Sequence, residues 1–195
     1  LGFDPAEGRE VGRETLEAVL SMYEHEFFPG YKGKHLDLPA RYVLPRPIQR
    51  PHPPLWVAAS NLDTWAYAGR QGFGVLGITH NTPEEIKPAI DAYRAEIRSA
   101  DRSERLGKFD NEHAGAFAVG VCLGDDRMAR EVGCAAARWY FGLNDAELNH
   151  VRMVPGGALH RVSEKFAQRT DEQLIEDGLA IGGNPDTVSR QVEKW

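Results

Sequence analysis

The chain has 195 residues, of which 42% are hydrophobic and 27% are charged, as in an ordinary soluble globular domain. Its 23 Lys and Arg against 29 Asp and Glu give a formal charge of −6. No basic run is long enough to follow a phosphate backbone, so nucleic acid is not an expected partner. The longest apolar stretch, 114–123, is about half of a bilayer crossing, so we expect a cytoplasmic protein with no membrane partner.

The first predicted element is an amphipathic helix over 7–28, in which apolar residues recur at mostly helical spacing. A turn and a short extended piece follow over 31–39. The proline-rich stretch 44–54 then forces an extended path. Its segment Pro51-His52-Pro53-Pro54 fits a Pro-x-x-P docking ligand, but a rigid connector is favoured because such short matches are common.

Beyond the prolines, short apolar runs alternate with amphipathic helices. The predicted strands are 55–59, 74–78 and 114–123, and helices follow over 65–71, from residue 83, and over 127–140. This alternation predicts the α/β class, with a parallel sheet covered by helices. No Gly-x-Gly-x-x-Gly follows a strand, which disfavours a dinucleotide-binding open sheet. A complete eight-fold barrel needs about 250 residues, so the sequence predicts part of a (β/α)8 TIM barrel.

Other local signals concern helix starts, one irregular segment and the thiols. Thr82-Pro83 and Asn184-Pro185 each place a capping residue before a proline, which is typical of a helix start, and Glu85 completes a capping box with Thr82. The segment 143–170 breaks the rhythm and is a candidate insertion or lid, although a tolerated surface loop fits equally well. Cys122 and Cys134 lie in different predicted elements and are expected to be reduced, buried thiols.

Candidate site residues follow the strands, because ligands bind beyond the carboxyl ends of parallel strands. Ser60 and Asn61 stand where a helix begins, so their side chains and the first-turn amides could receive an anion such as phosphate. The simpler interpretation is that one of them caps the helix. His80 could donate to a ligand or transfer a proton, although a solvated histidine fits that turn as well.

The sequence lacks the motifs of several other kinds of functional site. The seven histidines show no metal-ligand spacing, and we predict no metal site. Neither a Gly-x-Ser-x-Gly elbow nor a phosphate-binding loop ending in Lys-Ser/Thr occurs. The chain begins at Leu1 and stops at Trp195 within a predicted helix, so we expect a fragment of a longer protein.

Four segments resemble the luciferase-like, flavin-dependent oxidoreductases, which share a TIM-barrel fold with bacterial luciferase. These segments are YKGKH from Tyr31, PRPIQRPHPPLWVAAS from Pro45, AGRQGFGVL from Ala68 and IGGNPDTV from Ile181. The resemblance implies that the three predicted strands are the fifth, sixth and seventh of the barrel. It also implies that strands one to four and the eighth are absent, so that residues 1–195 form a single partial barrel domain.

The resemblance further implies a cofactor site. In this family the turn after the fifth strand helps to hold the flavin phosphate, which implies that role for Ala59, Ser60, Asn61 and Thr64. His80 is expected to contact substrate or a lid. Sulfonate-oxidising members have an Arg-x-His pair on the seventh strand, where this chain has Phe117 and Val119, so sulfonate chemistry is doubtful. The catalytic residues stay unknown, because the family draws most of them from the missing half.

The implied activity is that of a monooxygenase. It uses reduced FMN, supplied by a separate NAD(P)H-dependent flavin reductase, and oxygen to oxygenate a small organic substrate. One alternative is an oxidoreductase of the branch that transfers hydride with the deazaflavin F420. Another is a non-catalytic binding module or an inactive fragment, because an unclosed barrel leaves strand edges open. A homo-oligomer is also compatible with the sequence.

Overall fold

The computed structural model describes residues 7–78, 80–99, 101–142 and 158–195. The helices among these residues are α1 (Gly8–Glu24), α2 (Leu62–Gln71), α3 (Pro83–Ser99), α4 (Asp126–Gly142), α5 (Ala158–Ala167), α6 (Asp171–Glu176) and α7 (Pro185–Val192). The strands are β1 (Tyr31–Lys32), β2 (Asp37–Leu38), β3 (Trp56–Ala59), β4 (Gly74–Ile78), β5 (Ala114–Phe117), β6 (Gly120–Cys122) and β7 (Ile181–Gly183). One 3-10 helix covers Arg102–Glu104.

The strands form three small sheets. β1 and β2 make an antiparallel pair after α1, and β3, β4 and β5 form a sheet in that order. β6 pairs in parallel with β7, with Val121 opposite Gly182. From β3 onwards strands alternate with helices, so the predicted α/β class is confirmed.

The third predicted strand is interrupted. Residues 118 and 119 separate β5 from β6, and the two halves belong to different sheets. A further strand, β7, forms where the sequence predicts none, which corrects the expectation that no strand follows 114–123. The run Ile181-Gly182-Gly183 is too short and glycine-rich to show strand alternation, and pairing with β6 defines it.

Two predicted helix starts are confirmed by their hydrogen bonds. At the start of α3, the Glu85 amide donates to Thr82 Oγ1 at 3.3 Å, and the Thr82 amide donates to Glu85 Oε2 at 2.9 Å. This reciprocal pair is a capping box. At the start of α7, Asn184 Oδ1 accepts from the Thr187 amide at 2.9 Å. α1 ends at Glu24, before the predicted residue 28, because His25 adopts an extended conformation.

The described chain divides into two compact units. The first contains residues 7–57, Ala66–Val75 and Tyr93–His113. At its centre the buried Tyr93 hydroxyl donates to the carbonyls of Phe73 and Asn111, at 3.0 and 2.9 Å. Because the hydroxyl has hydrogen-bond partners, burial of the ring leaves no unsatisfied polar group.

The proline-rich stretch belongs to the first unit and is anchored there by His52. The buried His52 ring stacks on Phe109 with centroids 4.9 Å apart, and its Nε2 accepts from the Lys108 amide at 3.0 Å. A docking ligand has to present its motif to a partner. Burial of the histidine inside Pro51-His52-Pro53-Pro54 therefore favours the connector interpretation.

The second unit contains Ala58–Trp65, Leu76–Ala92 and the described residues from Ala114 onwards. Its buried core joins α4, α5, α6 and the residues just before β7. The core residues are Cys134, Ala137, Phe141, Phe166, Leu174, Ile175, Leu179 and Ala180. Phe141 and Phe166 stack with centroids 4.5 Å apart, which fixes α5 against α4.

Two expectations change in this unit. Cys134 is buried as predicted, but Cys122 is exposed, because it shares the exposed face of β6 with Gly120. Of the candidate lid 143–170, residues 143–157 lie outside the described residues, and Ala158–Ala167 forms helix α5. No helix among the described residues is both long and apolar enough to cross a bilayer.

Candidate functional site

A cavity of about 230 Å³ lies in the second unit at the carboxyl end of β3. Its walls come from the end of β3, the start of α2, the β4 strand and the first turns of α3. The lining residues are Ala59, Ser60, Asn61, Leu62, Trp65, Gly77, Asn81, Glu85, Ile86, Pro88 and Ala89. We refer to it as the strand-end cavity. Its place is the one where parallel α/β folds bind ligands.

Asn61 caps α2 beside this cavity. Its Oδ1 accepts hydrogen bonds from the Thr64 amide and from Thr64 Oγ1, both at 3.0 Å. The capping interpretation of the sequence is therefore observed. Capping uses the Oδ1 acceptor only, so the Asn61 amide NH2 stays available as a donor. The amides of Leu62 and Asp63 belong to the first turn, where a helix supplies no acceptor.

Trp65 and Gly77 form one wall of the cavity. Trp65 is buried, and a Cβ built on Gly77 would lie 2.5 Å from Trp65 Cζ2. Since Cβ atoms do not tolerate such a distance, glycine is required for the indole to lie against β4. The small residue thus determines the shape of the cavity.

Lys165 of α5 joins two groups next to the strand-end cavity. Its Nζ donates to the His80 carbonyl at 3.0 Å and forms an ion pair with Glu85, whose other partner is the Thr82 amide. Burial opposes ionisation of Glu85, but the hydrogen bonds from Lys165 and Thr82 outweigh it and lower the pKa of Glu85. Glu85 is therefore an ionised carboxylate whose charge is balanced by an ammonium group.

The His80 ring has a pKa below its ordinary value. Burial disfavours the imidazolium, and the positive charge of Lys165 adds to that effect, while Glu85 opposes it. His80 is half-buried and neutral at physiological pH. A neutral imidazole can accept or donate one hydrogen bond at each ring nitrogen, according to its tautomer.

The predicted site residues fall into three positions. Ala59, Ser60 and Asn61 line the strand-end cavity, and their role in binding an anion stays a prediction. Thr64 is not a lining residue; it donates to the Asn61 cap. His80 is not a lining residue either, although its neighbour Asn81 is.

Sequence reasoning misses two charged residues of this region. Glu85 is read from the sequence only as part of a capping box, and Lys165 is not singled out at all. The capping pattern of Thr82-Pro83-Glu84-Glu85 is a local signal that locates Glu85 next to the strand end. No sequence signal connects Lys165 to it, because 80 residues separate the two.

A separate carboxylate and histidine cluster lies in the first unit. Glu7, Glu10 and His35 each contribute one atom that could coordinate a metal ion, and these three atoms lie within 4.8 Å of one another. The Lys34 ammonium already bonds both carboxylates, at 3.4 Å to Glu7 and 2.8 Å to Glu10. A cationic group of the chain itself therefore lies where a metal ion would bind. The His-to-His spacing rules used on the sequence do not detect such a cluster.

Comparison with known families gives a match over the whole chain. The model of the family described as luciferase-like monooxygenase matches residues 1–195. The chain belongs to the luciferase-like monooxygenase family. The family that the sequence motifs resemble is thereby confirmed.

Solved structures of the family confirm the partial barrel. Monooxygenase RslO1 from Streptomyces bottropensis covers 98% of this chain with a TM-score of 0.63 and 22% identity. The oxygenating constituent of 3,6-diketocamphane monooxygenase from Pseudomonas putida, in complex with FMN, covers 98% with a TM-score of 0.64 and 17% identity. The F420-dependent tetrahydromethanopterin reductase from Methanopyrus kandleri covers 93%, with a TM-score of 0.60 and 20% identity.

Among curated proteins, one similar sequence is the oxygenase component of the flavin-dependent trigonelline monooxygenase of Acinetobacter baylyi. It is 24% identical over 105 residues, which are 53% of this chain and 29% of that protein. The solved structures are matched over 51%, 52% and 55% of their own lengths. The chain thus spans about half the length of these structures and less than a third of the curated relative.

Proposed function

We propose that the protein is an FMN-dependent monooxygenase that oxygenates a small organic substrate, and that this chain supplies the binding site for the flavin phosphate. The strand-end cavity is the observation that carries the proposal. It lies beyond a barrel strand and at the N-terminus of α2, where backbone amides and the helix dipole favour an anion.

The residues of the cavity fit a phosphate group. Ser60 offers a hydroxyl, Asn61 offers its amide NH2, and the first turn of α2 offers two backbone amides. At about 230 Å³ the cavity is smaller than the roughly 300–1,000 Å³ of pockets that enclose a drug-sized ligand. The size therefore suits the phosphate end of FMN rather than the whole cofactor.

Glu85 is the one lining residue whose charge opposes an anion. Its ion pair with Lys165 offsets that charge, so the wall carries a neutral pair. In this pair 18% of the Lys165 side chain and 49% of the Glu85 side chain are exposed, so solvent screens the pair in part. Lys165 thus makes the cavity compatible with a phosphate although it does not line it.

When bound, reduced FMN would supply the electrons that activate oxygen for transfer to the substrate. The residues of this chain bind and orient. Ser60, Asn61 and the α2 amides would hold the phosphate, and Trp65 would exclude water from one side of the site. Fixing the phosphate orients the rest of the cofactor, since the position of one end restricts the other.

Two partners accompany this proposal. The Acinetobacter baylyi relative is named as an oxygenase component, which supports a separate NAD(P)H-dependent flavin reductase for this protein too. The reducing partner would deliver reduced FMN. A small organic molecule would be the second substrate.

Hydride transfer with F420 is the second candidate function. It is supported by the likeness to the Methanopyrus kandleri reductase, whose name states F420 dependence. The strand-end cavity recognises a phosphate group and does not by itself distinguish the two cofactors. Parallel titration of the full-length protein with FMN and F420 separates them, and preferential F420 binding would overturn the FMN assignment.

Replacement of Asn61 by Asp tests the phosphate site. Aspartate caps a helix as well as asparagine does, so α2 keeps its first turn. The change removes the NH2 donor and places a negative charge against the phosphate. We expect the Kd for FMN to rise by at least about tenfold, a loss of about 1.4 kcal/mol, in fluorescence titrations of the full-length protein.

Two controls define this experiment. Asn184→Asp makes the same change at the cap of α7, which does not line the cavity, and should leave FMN affinity unaltered. Riboflavin, which lacks the phosphate, should bind the Asn61→Asp variant as it binds the wild type. Unchanged FMN affinity in Asn61→Asp would show that the phosphate binds elsewhere.

A further inference from the structure

A second cavity, of about 310 Å³, lies alongside β5 in the second unit. Residues of α2, α3, β5, β7 and α7, together with Ala118 and Trp195, surround it. Those that define its chemistry are Trp65, Ile86, Ile90, Ala116, Val192 and Trp195. None of the side chains that line it carries a charge. We refer to it as the indole cavity.

We propose that the indole cavity is a second small-molecule site, which takes a neutral, compact aromatic ligand. Its volume lies at the lower end of the range for ligand pockets, which suits one or two fused rings. Trp195, which is 38% exposed, offers ring surface for stacking with an aromatic guest, and the buried Trp65 contributes to the apolar wall. Aliphatic side chains from α3 and α7 complete the walls.

The lining selects against ions. A charged ligand would give up part of its hydration beside residues such as Val192 and Trp195, which stay partly exposed, and it would gain no ionic partner in return. A neutral apolar ligand loses little, because burying its surface is favourable by about 25 cal/mol per Å². The indole cavity therefore discriminates by charge, whereas the strand-end cavity favours an anion.

The two cavities share Trp65 and Ile86 as lining residues but differ in the residues that carry the chemistry. Ser60 and Asn61, the proposed phosphate donors, do not line the indole cavity. The inference is thus independent of the proposed function, and either can fail without the other.

Filling the indole cavity tests the proposal. Ala116 is an exposed residue of β5 that lines it, and leucine at this position would occupy part of the space. Binding of indole to the flavin-free, full-length protein is measured by equilibrium dialysis. We expect Ala116→Leu to weaken indole binding by at least about tenfold. Benzoate, an aromatic anion, should fail to displace indole from the wild type.

Matched variants separate the effect of filling the indole cavity from a general loss of folding. Ala135→Leu introduces the same side chain at an exposed position of α4 that lines neither cavity, and should leave indole binding unchanged. Ala118→Leu is the second filling variant, should Ala116→Leu fail to fold. FMN titration of the filling variants should give the wild-type affinity.

Three results would overturn the proposal. The first is wild-type indole affinity in folded Ala116→Leu and Ala118→Leu. The second is absence of saturable indole binding in the wild type. The third is displacement of indole by benzoate, which would show that the site does not select by charge.

Discussion

Lys165 is the residue that connects separate parts of the second unit at the strand-end cavity. It reaches from α5 to the carbonyl of His80 and to the carboxylate of Glu85. One ammonium group therefore positions a loop, balances a cavity-lining charge and influences a titrating ring. One ammonium group has all three effects because its partners all lie close to it.

Removing this charge should change the titration of His80. In Lys165→Met the positive neighbour is lost while Glu85, which stabilises the imidazolium, remains. We expect the pKa of His80 to rise, as measured by NMR titration of the ring protons. Lys87→Met removes an exposed ammonium paired with Asp91 and should leave that pKa where it was. An unchanged His80 pKa in Lys165→Met would contradict the electrostatic assignment.

His80 also makes the free energy of unfolding depend on pH. The folded pKa of His80 lies below its unfolded value near 6.5, so protonation favours the unfolded chain. The contribution of His80 is present above pH 6.5 and is lost as the pH falls towards the folded pKa. Lys165→Met should reduce that loss, because it brings the two pKa values closer together.

At the scale of single elements, α7 depends on its N-cap. The side-chain oxygen Oδ1 of Asn184 accepts a hydrogen bond from the Thr187 backbone amide. The backbone amide of Asn184 donates one to Asp126 Oδ1 at 2.9 Å. The hydrogen bond from Asn184 and a further one from Thr187 lower the pKa of Asp126. The cap thus fixes the start of α7 and ties it to the start of α4.

Loss of this cap has a measurable cost. Asn184→Ala removes the acceptor for the Thr187 amide and should lower the free energy of unfolding by about 1 kcal/mol in urea denaturation. Asn184→Asp keeps an acceptor and should retain most of the stability. Equal losses in the two variants would show that the side chain acts through something other than capping.

Close helix–strand contact at β7 depends on two glycines. A Cβ on Gly182 would lie 2.9 Å from the Ala129 carbonyl oxygen, and one on Gly133 would lie 2.8 Å from that of Ile181. Larger residues would separate α4 from the strand. These glycines weaken β7 as a local strand but allow the helix to cover it closely.

At the scale of the whole molecule, a buried apolar cluster forms the core of the second unit. Phe166 contributes a fully buried ring that stacks on Phe141. The cluster draws on helices distant in sequence, so its burial stabilises the arrangement of the whole unit. Family membership and the likeness to solved structures agree with an arrangement that belongs to a barrel.

Truncation of Phe166 tests how much the core contributes to the free energy of unfolding. Phe166→Ala should lower the free energy of unfolding by about 3–5 kcal/mol, because it removes buried surface and leaves a cavity. Trp139→Ala removes a larger ring from α4 that is 69% exposed and should cost far less. Urea denaturation of both variants gives the comparison. Similar losses would mean that the Phe141–Phe166 contact does not dominate the core.

Much of the fold is predictable from local sequence signals. The capping pairs at residues 82 and 184 locate two helix starts, because such caps use residues only three positions apart. The strand 74–78 is predicted to the residue, since glycine and polar residues bound its apolar run. Ser60 and Asn61 are predicted as site residues because they follow a strand at the start of a helix, and the capping role of Asn61 is equally local.

The sequence by itself thus determined the α/β class, the family, most element positions and the residues at the strand end. Tertiary structure alone decided the break between β5 and β6, the existence of β7, the exposure of Cys122 and the pairing of Lys165 with Glu85. Strand pairing and ion pairs between distant residues depend on the three-dimensional path of the chain, which no short window of sequence contains. Both cavities belong to that second group, since each is lined by residues from several elements.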